Sequence, residues 1–164
     1  MSGADGGNPL ALDRQLCFSL YTASRALTGL YRELLTDLDL TYPQYLVLLV
    51  LWERSTLPVK ELGRALSLDT GTLSPLLRRM ESAGLVTRRR GPEDERIVHV
   101  SITEQGAKLR DRAGEIPERV LCATDLPPER VKDLRALLDH VTRSVTDAVE
   151  GSAKRTDRGA DAGS

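Results

Sequence analysis

Apolar residues recur every three or four positions along most of this chain, which is the spacing that gives a helix one buried face. The pattern predicts helices over four stretches: residues 10–37, 42–52, 104–123 and 131–149. Thr41 and Thr103 stand where a side chain can cap the second and third of these helices. Pro117 is expected to kink or break the third.

A different pattern occupies residues 57–103. Two short segments of helical periodicity are separated by Asp69, whose carboxylate can accept hydrogen bonds from the free N–H groups of a new helix. That helix has one apolar and one polar face, and Gly84 follows where helices commonly end in a left-handed residue. Residues 86–90 and 97–102 then alternate apolar and polar side chains, as half-buried strands do.

Two helices followed by a hairpin form a winged helix-turn-helix, in which the second helix enters the DNA major groove and the hairpin, or wing, follows the backbone or minor groove. The predicted fold is therefore mainly α with a small β-hairpin wing. The apolar stripes of the N- and C-terminal helices have no partner within that module, so these helices are expected to form a dimerisation region. The expected regions are a disordered N-terminus, dimerisation helices, the winged module, further dimerisation helices and a disordered tail: 1–9, 10–56, 57–103, 104–150 and 151–164.

The net charge is −1, but the charged residues are unevenly distributed along the chain. Residues 57–103 contain eight Lys and Arg against six Asp and Glu, whereas the rest of the chain contains fifteen against eighteen. Basic groups are thus concentrated in the elements that are predicted to read a groove. This favours double-stranded DNA as the partner, with a two-fold dimer presenting two reading helices to a pseudo-palindrome.

The sequence predicts a cytoplasmic protein with no membrane partner. No apolar run approaches the roughly 20 residues of a membrane span, and the N-terminus lacks the features of a signal peptide. The two cysteines are therefore expected to be reduced by default. His99 and His140 are too isolated to indicate a metal site, and no cofactor is expected.

From about Leu12 to Val149 the chain resembles the MarR family of bacterial repressors. The stretches that carry the resemblance are Tyr42-Pro43-Gln44-Tyr45, residues 68–81, Gly84-Leu85-Val86, and Asp94-Glu95-Arg96 followed by residues 100–103. In that family an Asp and an Arg brace the wing, and the Arg reaches the minor groove. The resemblance assigns these roles to Asp94 and Arg96.

The first two helices are similar, more narrowly, to the organic-hydroperoxide-responsive members of that family, the OhrR type. The match comprises Cys17, Tyr21, Tyr31 and Tyr42. In those proteins an N-terminal cysteine is oxidised by organic hydroperoxides and tyrosines hydrogen-bond its sulfur, so the resemblance implies that Cys17 is a redox sensor supported by the tyrosines. It further implies that Cys122 resolves the sulfenic acid as a disulfide between subunits and so releases operator DNA. In single-cysteine members a small thiol completes the switch instead.

Helix geometry limits how these groups can meet. Cys17 and Tyr21 are one turn apart, so their side chains adjoin. Tyr31 is ~21 Å further along a straight helix, at ~1.5 Å per residue, so it cannot touch Cys17 of its own chain. An antiparallel partner helix brings it there. We therefore predict a homodimer in which Tyr31 and Tyr42 of one subunit approach Cys17 of the other and stabilise its thiolate.

On the DNA side, base contacts are expected from the polar face of the reading helix: Thr70, Thr72, Ser74, Pro75 and Arg78. Arg79 and Arg88 are expected to bind phosphates. Arg96, held by Asp94, is expected to enter the minor groove.

Three other interpretations remain open. A repressor of this fold can release DNA when a small aromatic ligand binds between the dimerisation and winged regions, with Cys17 incidental. A thiol peroxidase can use Cys17, but the chain has no Cys-x-x-Cys motif, so we expect no enzyme. The protein can also activate transcription or bind DNA architecturally without a switch. Separately, either cysteine can be a small buried hydrophobe.

Overall fold

The computed structural model describes residues 8–91 and 94–160, with side chains described through residue 151. The chain divides into two compact units, Met1–Val120 and Leu121–Ser164. Helices and strands follow in this order: α1 Leu16–Leu34, α2 Tyr42–Arg54, β1 Thr56–Pro58, α3 Val59–Leu66, α4 Thr70–Ser82, β2 Val86–Arg90, β3 Val98–Ile102, α5 Glu104–Ala113, α6 Ile116–Ala123 and α7 Pro128–Ala160. The prediction of a mainly helical fold with a small β wing is confirmed.

The three strands form one antiparallel sheet in the order β1-β3-β2. β2 and β3 pair over their full length, which confirms the predicted hairpin. β1 was not predicted. It pairs with the other edge of β3, where Leu57 lies opposite Val100. Its three residues end in Pro58 and carry no alternating pattern, so only the free edge of β3 makes this segment a strand.

Local signals set the ends of the helices around the wing. The side chain of Asp69 accepts a hydrogen bond from the Thr72 N–H at 2.9 Å, which starts α4. The hydroxyl of Thr103 accepts one from the Gly106 N–H at 3.1 Å and starts α5 in the same way. Gly84, with φ of 72°, takes the left-handed conformation that ends α4. All three features are as predicted, because each depends on residues within a few positions of one another.

Helix α2 is the centre of the hydrophobic core of the first unit. Its buried residues are Tyr45, Val47, Leu48 and Leu51. It contacts α3, α4, α5 and β3, as its nearly uniform apolar composition predicts. The Trp52 Nε1–H donates to the Gly106 carbonyl oxygen at 3.0 Å and joins α2 to the start of α5. The winged elements are therefore packed around one buried helix.

Two predicted boundaries need correction. The helix predicted over residues 10–37 is α1, which is shorter and is flanked by single 3₁₀ turns at Leu12–Arg14 and Thr36–Leu38. Extended backbone at Gln15 and left-handed backbone at Asp39, with φ of 52°, interrupt the helical path. The apolar periodicity continues through these turns, so it could not reveal the breaks.

The tail predicted to be disordered over residues 151–164 instead continues α7 as far as Ala160. Extending an existing helix needs no new nucleus, and this segment contains Ala, Lys and Arg, which favour helices. Residues 161–164, and residues 1–7 of the predicted disordered N-terminus, lie outside the described residues. The break expected at Pro117 is confirmed, since α5 ends at Ala113 and α6 begins at Ile116.

Candidate DNA-reading face and thiol site

Helix α4 presents the polar face that the sequence predicts. Its apolar side is buried through Leu73, Leu76, Leu77 and Met80. On the opposite side Thr70, Thr72, Pro75, Arg78 and Arg79 are exposed and Ser74 is half-buried. The two arginines have no ion-pair partner among the described side chains. Both guanidinium groups are therefore available to an external anion.

Thr72 is less free than the other predicted reading residues. Its hydroxyl donates to Asp69 Oδ2 at 2.8 Å, in addition to the backbone bond that caps α4. These hydrogen bonds, first from the Thr72 side chain and then from its backbone, lower the pKa of the Asp69 carboxyl. The hydroxyl proton of Thr72 is thus occupied, and its methyl group and acceptor lone pair remain for a ligand.

The wing turn is held by backbone hydrogen bonds. The carboxylate of Asp94 accepts from the backbone N–H of Arg96 at 2.9 Å, and its carbonyl oxygen accepts from the Ile97 N–H at 3.0 Å. Across the turn, the Gly91 N–H donates to the Ile97 carbonyl oxygen at 2.7 Å. Asp94 therefore shapes the backbone, whereas the expected brace to the Arg96 side chain is not among the ion pairs of the described residues. Arg96 is exposed.

A cavity of about 600 Å³ lies between α3, α4 and the wing. Thr70 and Ser74 line it from α4, and Arg96 lines it from the wing. Lys60 and Arg64 line it from α3, one helical turn apart. Neither cation was predicted from the sequence, although their spacing on an amphipathic helix placed both on its solvent face.

Arg88 occupies a different environment from the one predicted. It lies in β2, and its Nη2 is 2.7 Å from Oε2 of Glu81 in the last turn of α4. Hydrogen bonds from the Arg88 side chain and backbone lower the pKa of the Glu81 carboxyl. Arg88 was expected to bind phosphate, but its charge is paired within the chain. The partner, Glu81, was not singled out from the sequence.

Cys17 and Tyr21 lie at the N-terminal end of α1, one turn apart, and both are exposed. None of the residues of α1 is buried, although the helix carries several large apolar side chains. Those that are exposed are Leu16, Phe18, Tyr21 and Leu27. An amphipathic helix with an uncovered apolar face is typical of a subunit interface.

A neighbouring arginine orients Tyr21. The Arg25 Nη1–H donates to the Tyr21 hydroxyl oxygen at 3.0 Å, and the guanidinium carbon lies 5.6 Å from the centre of its ring. Because a guanidinium has only donors, this bond uses an acceptor lone pair and leaves the Tyr21 hydroxyl proton free to donate elsewhere. Arg25 was not predicted from the sequence.

Tyr31, near the C-terminal end of α1, and Tyr42, the first residue of α2, lie together. Their ring centres are 4.3 Å apart, and Tyr45 lies 5.8 Å from Tyr31 on the core side. Burial, followed by the neighbouring tyrosines, raises the pKa of Tyr31, and burial raises that of Tyr42. Both phenols therefore stay protonated at neutral pH. Neither hydroxyl has a hydrogen-bond partner among the described side chains and backbone.

Cys122 lies in the last turn of α6, in the second compact unit, and is exposed. This unit also contains α7, whose exposed apolar side chains recur along the helix: Leu134, Leu137, Leu138, Val145 and Val149. Like α1, α7 thus has an apolar stripe on its surface.

Comparison with known proteins identifies the fold family. A family model described as "Transcriptional regulator SarA/Rot" matches residues 29–113, more than half of the chain. The chain belongs to the MarR/SarA-type winged-helix transcriptional regulators. It is 50% identical over 129 residues to the organic hydroperoxide resistance transcriptional regulator of Bacillus subtilis (strain 168), covering 79% of this chain and 88% of that protein. The chain is therefore a DNA-binding transcriptional regulator.

Two solved structures extend the comparison. Reduced AbfR bound to DNA, a Staphylococcus epidermidis protein, matches with a TM-score of 0.70 and 33% identity over 82% of this chain and 94% of that chain. Disulfide-formed AbfR matches with a TM-score of 0.57 and 31% identity over 85% and 92%. The regulator is thus similar to a protein with solved reduced and disulfide states.

Among the described side chains of residues 8–91 and 94–151, no three of His, Cys, Asp or Glu are placed to hold a metal ion. Of the helices in the described part of the chain, none combines the length and the apolar character that crossing a membrane requires.

Proposed function

We propose that this regulator is a DNA-bound repressor that organic hydroperoxides switch off by oxidising Cys17. The observation that carries the proposal is the placement of the cysteine and the tyrosines in two groups, one at each end of α1. Cys17 and Tyr21 form one group, while Tyr31 and Tyr42, with unpartnered hydroxyls, form the other. The name of the Bacillus subtilis relative, at 50% identity, supports hydroperoxide as the signal.

The two groups complete one site if α1 pairs with α1 of a second copy in antiparallel orientation. The unburied α1 and the apolar stripe of α7 supply the surface for such a homodimer. Tyr31 and Tyr42 of one subunit then donate to the Cys17 sulfur of its partner. Tyr21 donates from within the same chain, with its oxygen already bonded by Arg25.

The chemistry starts with the thiolate. The Cys17 sulfur attacks the terminal peroxide oxygen, an S–O bond forms, the O–O bond breaks, and the alkoxide leaves and is protonated to an alcohol. Cysteine is oxidised to a sulfenic acid while the hydroperoxide is reduced. Donors that stabilise the thiolate increase the amount of the reactive form. The apolar residues beside Cys17, Leu16 and Phe18, favour an organic over an inorganic peroxide.

Cys122 then resolves the sulfenic acid. Its thiol attacks the Cys17 sulfur, forming a disulfide and releasing water. Exposure of Cys122 and the solved disulfide state of AbfR support this second step. Closing the bond between subunits moves helices and turns the winged modules away from the spacing of the operator half-sites.

In the repressing state the reading helix contacts bases through Thr70, Thr72, Ser74, Pro75 and Arg78. Arg79, Lys60 and Arg64 contact phosphates, and Arg96 enters the minor groove. An Arg96→Ala variant is expected to lose about 1–3 kcal/mol of operator affinity. The partner is cytoplasmic operator DNA, and the regulator acts without a cofactor and without turnover.

The deciding experiment is a gel shift on DNA from upstream of the protein's own gene. Wild type and Cys17→Ser are each tested with and without tert-butyl hydroperoxide. Release of wild type alone supports the proposal, and retention of both rejects it. Non-reducing electrophoresis of the same samples should give a disulfide-linked dimer that is absent from Cys17→Ser and Cys122→Ser. Consumption of more than one equivalent of peroxide per subunit would favour a thiol peroxidase instead.

The cavity between α3, α4 and the wing favours a second candidate function. With a volume of about 600 Å³ and three arginines in its lining, it has the size of a small-ligand site. A small aromatic acid bound there would displace DNA directly. In that case Cys17→Ser releases DNA normally on addition of the inducer, which the gel shift distinguishes from oxidation.

A further inference from the structure

An ion pair, with two guanidinium nitrogens on one carboxylate oxygen, joins the reading helix to the root of the wing. The Glu81 Oε2 accepts from Arg88 Nε at 2.9 Å and from Nη2 at 2.7 Å. Its second oxygen, Oε1, accepts from the Arg88 backbone N–H at 2.9 Å. One carboxylate at the end of α4 thus holds both the backbone and the side chain of a single residue of β2.

The position of Arg88 in the sheet explains why its backbone N–H bonds to Glu81. β2 is an edge strand, and Arg88 lies opposite Val100 of the central strand, which is fully buried. An outward-facing N–H of an edge strand has no strand partner, and Glu81 supplies the missing acceptor. With 27% of the Arg88 side chain and 36% of the Glu81 side chain exposed, the pair is partly shielded from water.

We propose that the Glu81–Arg88 pair sets the angle between the reading helix and the wing, and that Arg88 is a positioning residue and not a phosphate contact. Arg88 uses its Nε, one terminal nitrogen and its backbone N–H on Glu81, and its charge is neutralised. Residues beyond it on the wing, including Arg90 and Arg96, depend on this angle to reach DNA while α4 occupies the groove. The inference rests on DNA binding by α4 and the wing, but not on oxidation of Cys17.

A phosphate-binding role and a positioning role of Arg88 predict opposite effects of Glu81→Gln. If Arg88 bound phosphate, removing its intramolecular partner would free a cation, tighten operator binding and steepen the salt dependence. If the pair positions the wing, binding weakens by about tenfold and the slope of log K against log salt is no steeper than that of wild type, because Arg88 gains no phosphate contact and the wing cations reach the DNA less well. Glu53→Gln, on an exposed α2 residue, makes the same change in charge and is the matched control.

Arg88→Lys provides an independent test because it keeps the charge but loses the fork that grips the carboxylate. It should bind operator about as weakly as Glu81→Gln, and the exchanged pair Glu81→Arg with Arg88→Glu should recover part of the loss. Thermal unfolding of each variant separates a misplaced wing from an unfolded chain. Unchanged or tighter binding by Glu81→Gln, or wild-type binding by Arg88→Lys, overturns the proposal. Wild-type protein that binds no operator would instead reject the DNA-contact assignment.

Discussion

Removing the hydroxyl of Tyr42 tests the thiol site with the smallest change that the structure offers. In Tyr42→Phe the ring keeps its contact with Tyr31, at a centre distance of 4.3 Å. The deleted hydroxyl has no hydrogen-bond partner among the described groups, so its loss should leave the folded chain intact. The melting temperature is therefore expected to stay within about 2 °C of wild type, as for most substitutions that break no buried contact.

The effect on reactivity should be large. A hydrogen bond to a charged group contributes about 1.5–3 kcal/mol, and a factor of ten corresponds to about 1.4 kcal/mol. Loss of one phenol donor should thus slow oxidation of Cys17 by about 10- to 100-fold. The rate is followed as loss of free thiol after addition of tert-butyl hydroperoxide at neutral pH.

Tyr45→Phe deletes the same atom from a neighbouring residue and is the matched control. Tyr45 is 2% exposed and its ring lies 5.8 Å from that of Tyr31, on the core side of the cluster. The oxidation rate of Cys17 in Tyr45→Phe should equal that in wild type. Oxidation of Tyr42→Phe at the wild-type rate would refute the assembly of the site from two subunits, as would equal slowing in both variants.

Three further outcomes are expected. Arg25→Gln removes the charged donor to the Tyr21 hydroxyl oxygen. It should slow oxidation of Cys17 severalfold in the same thiol assay, while a gel shift should show unchanged operator affinity in the reduced state. Gly106→Ala should destabilise the protein by about 1–3 kcal/mol in urea unfolding, because its new Cβ would collide with the Leu85 carbonyl oxygen. Gly114→Ala, whose new Cβ would make only an ordinary contact with the Asp111 carbonyl oxygen, should be near neutral. The pKa of Glu81 is lowered from its usual 4.5 in the folded state, so the stability from its pairing is fully present above that pH and is lost as the pH falls through the folded value. Below about pH 4.5 the free energy of unfolding of wild type should therefore fall towards that of Glu81→Gln, as followed by circular dichroism during acid titration.

Features that depend on neighbours along the chain follow from the amino-acid sequence alone. The caps at Asp69 and Thr103 and the left-handed Gly84 need only residues within one helical turn, so their side-chain chemistry predicts them directly. The same holds for the buried α2 and the exposed face of α4, because a helical period assigns every residue to a side. The thiol chemistry that we propose, in contrast, came from the resemblance of one cysteine and three tyrosines to the OhrR type.

Which side chains meet depends on how the helices and strands pack in the tertiary structure. Glu81 and Arg88 are separated by a turn that reverses the chain, and the spacing of charges in sequence does not say whether such a cation faces a carboxylate or solvent. β1 is a strand only because the edge of β3 lies beside it. Tyr31 and Tyr42 come from different helices, and their contact follows from how α1 packs on α2. These contacts arise from packing between elements, which a local pattern does not encode, since periodicity records the side of a helix and not what that side touches.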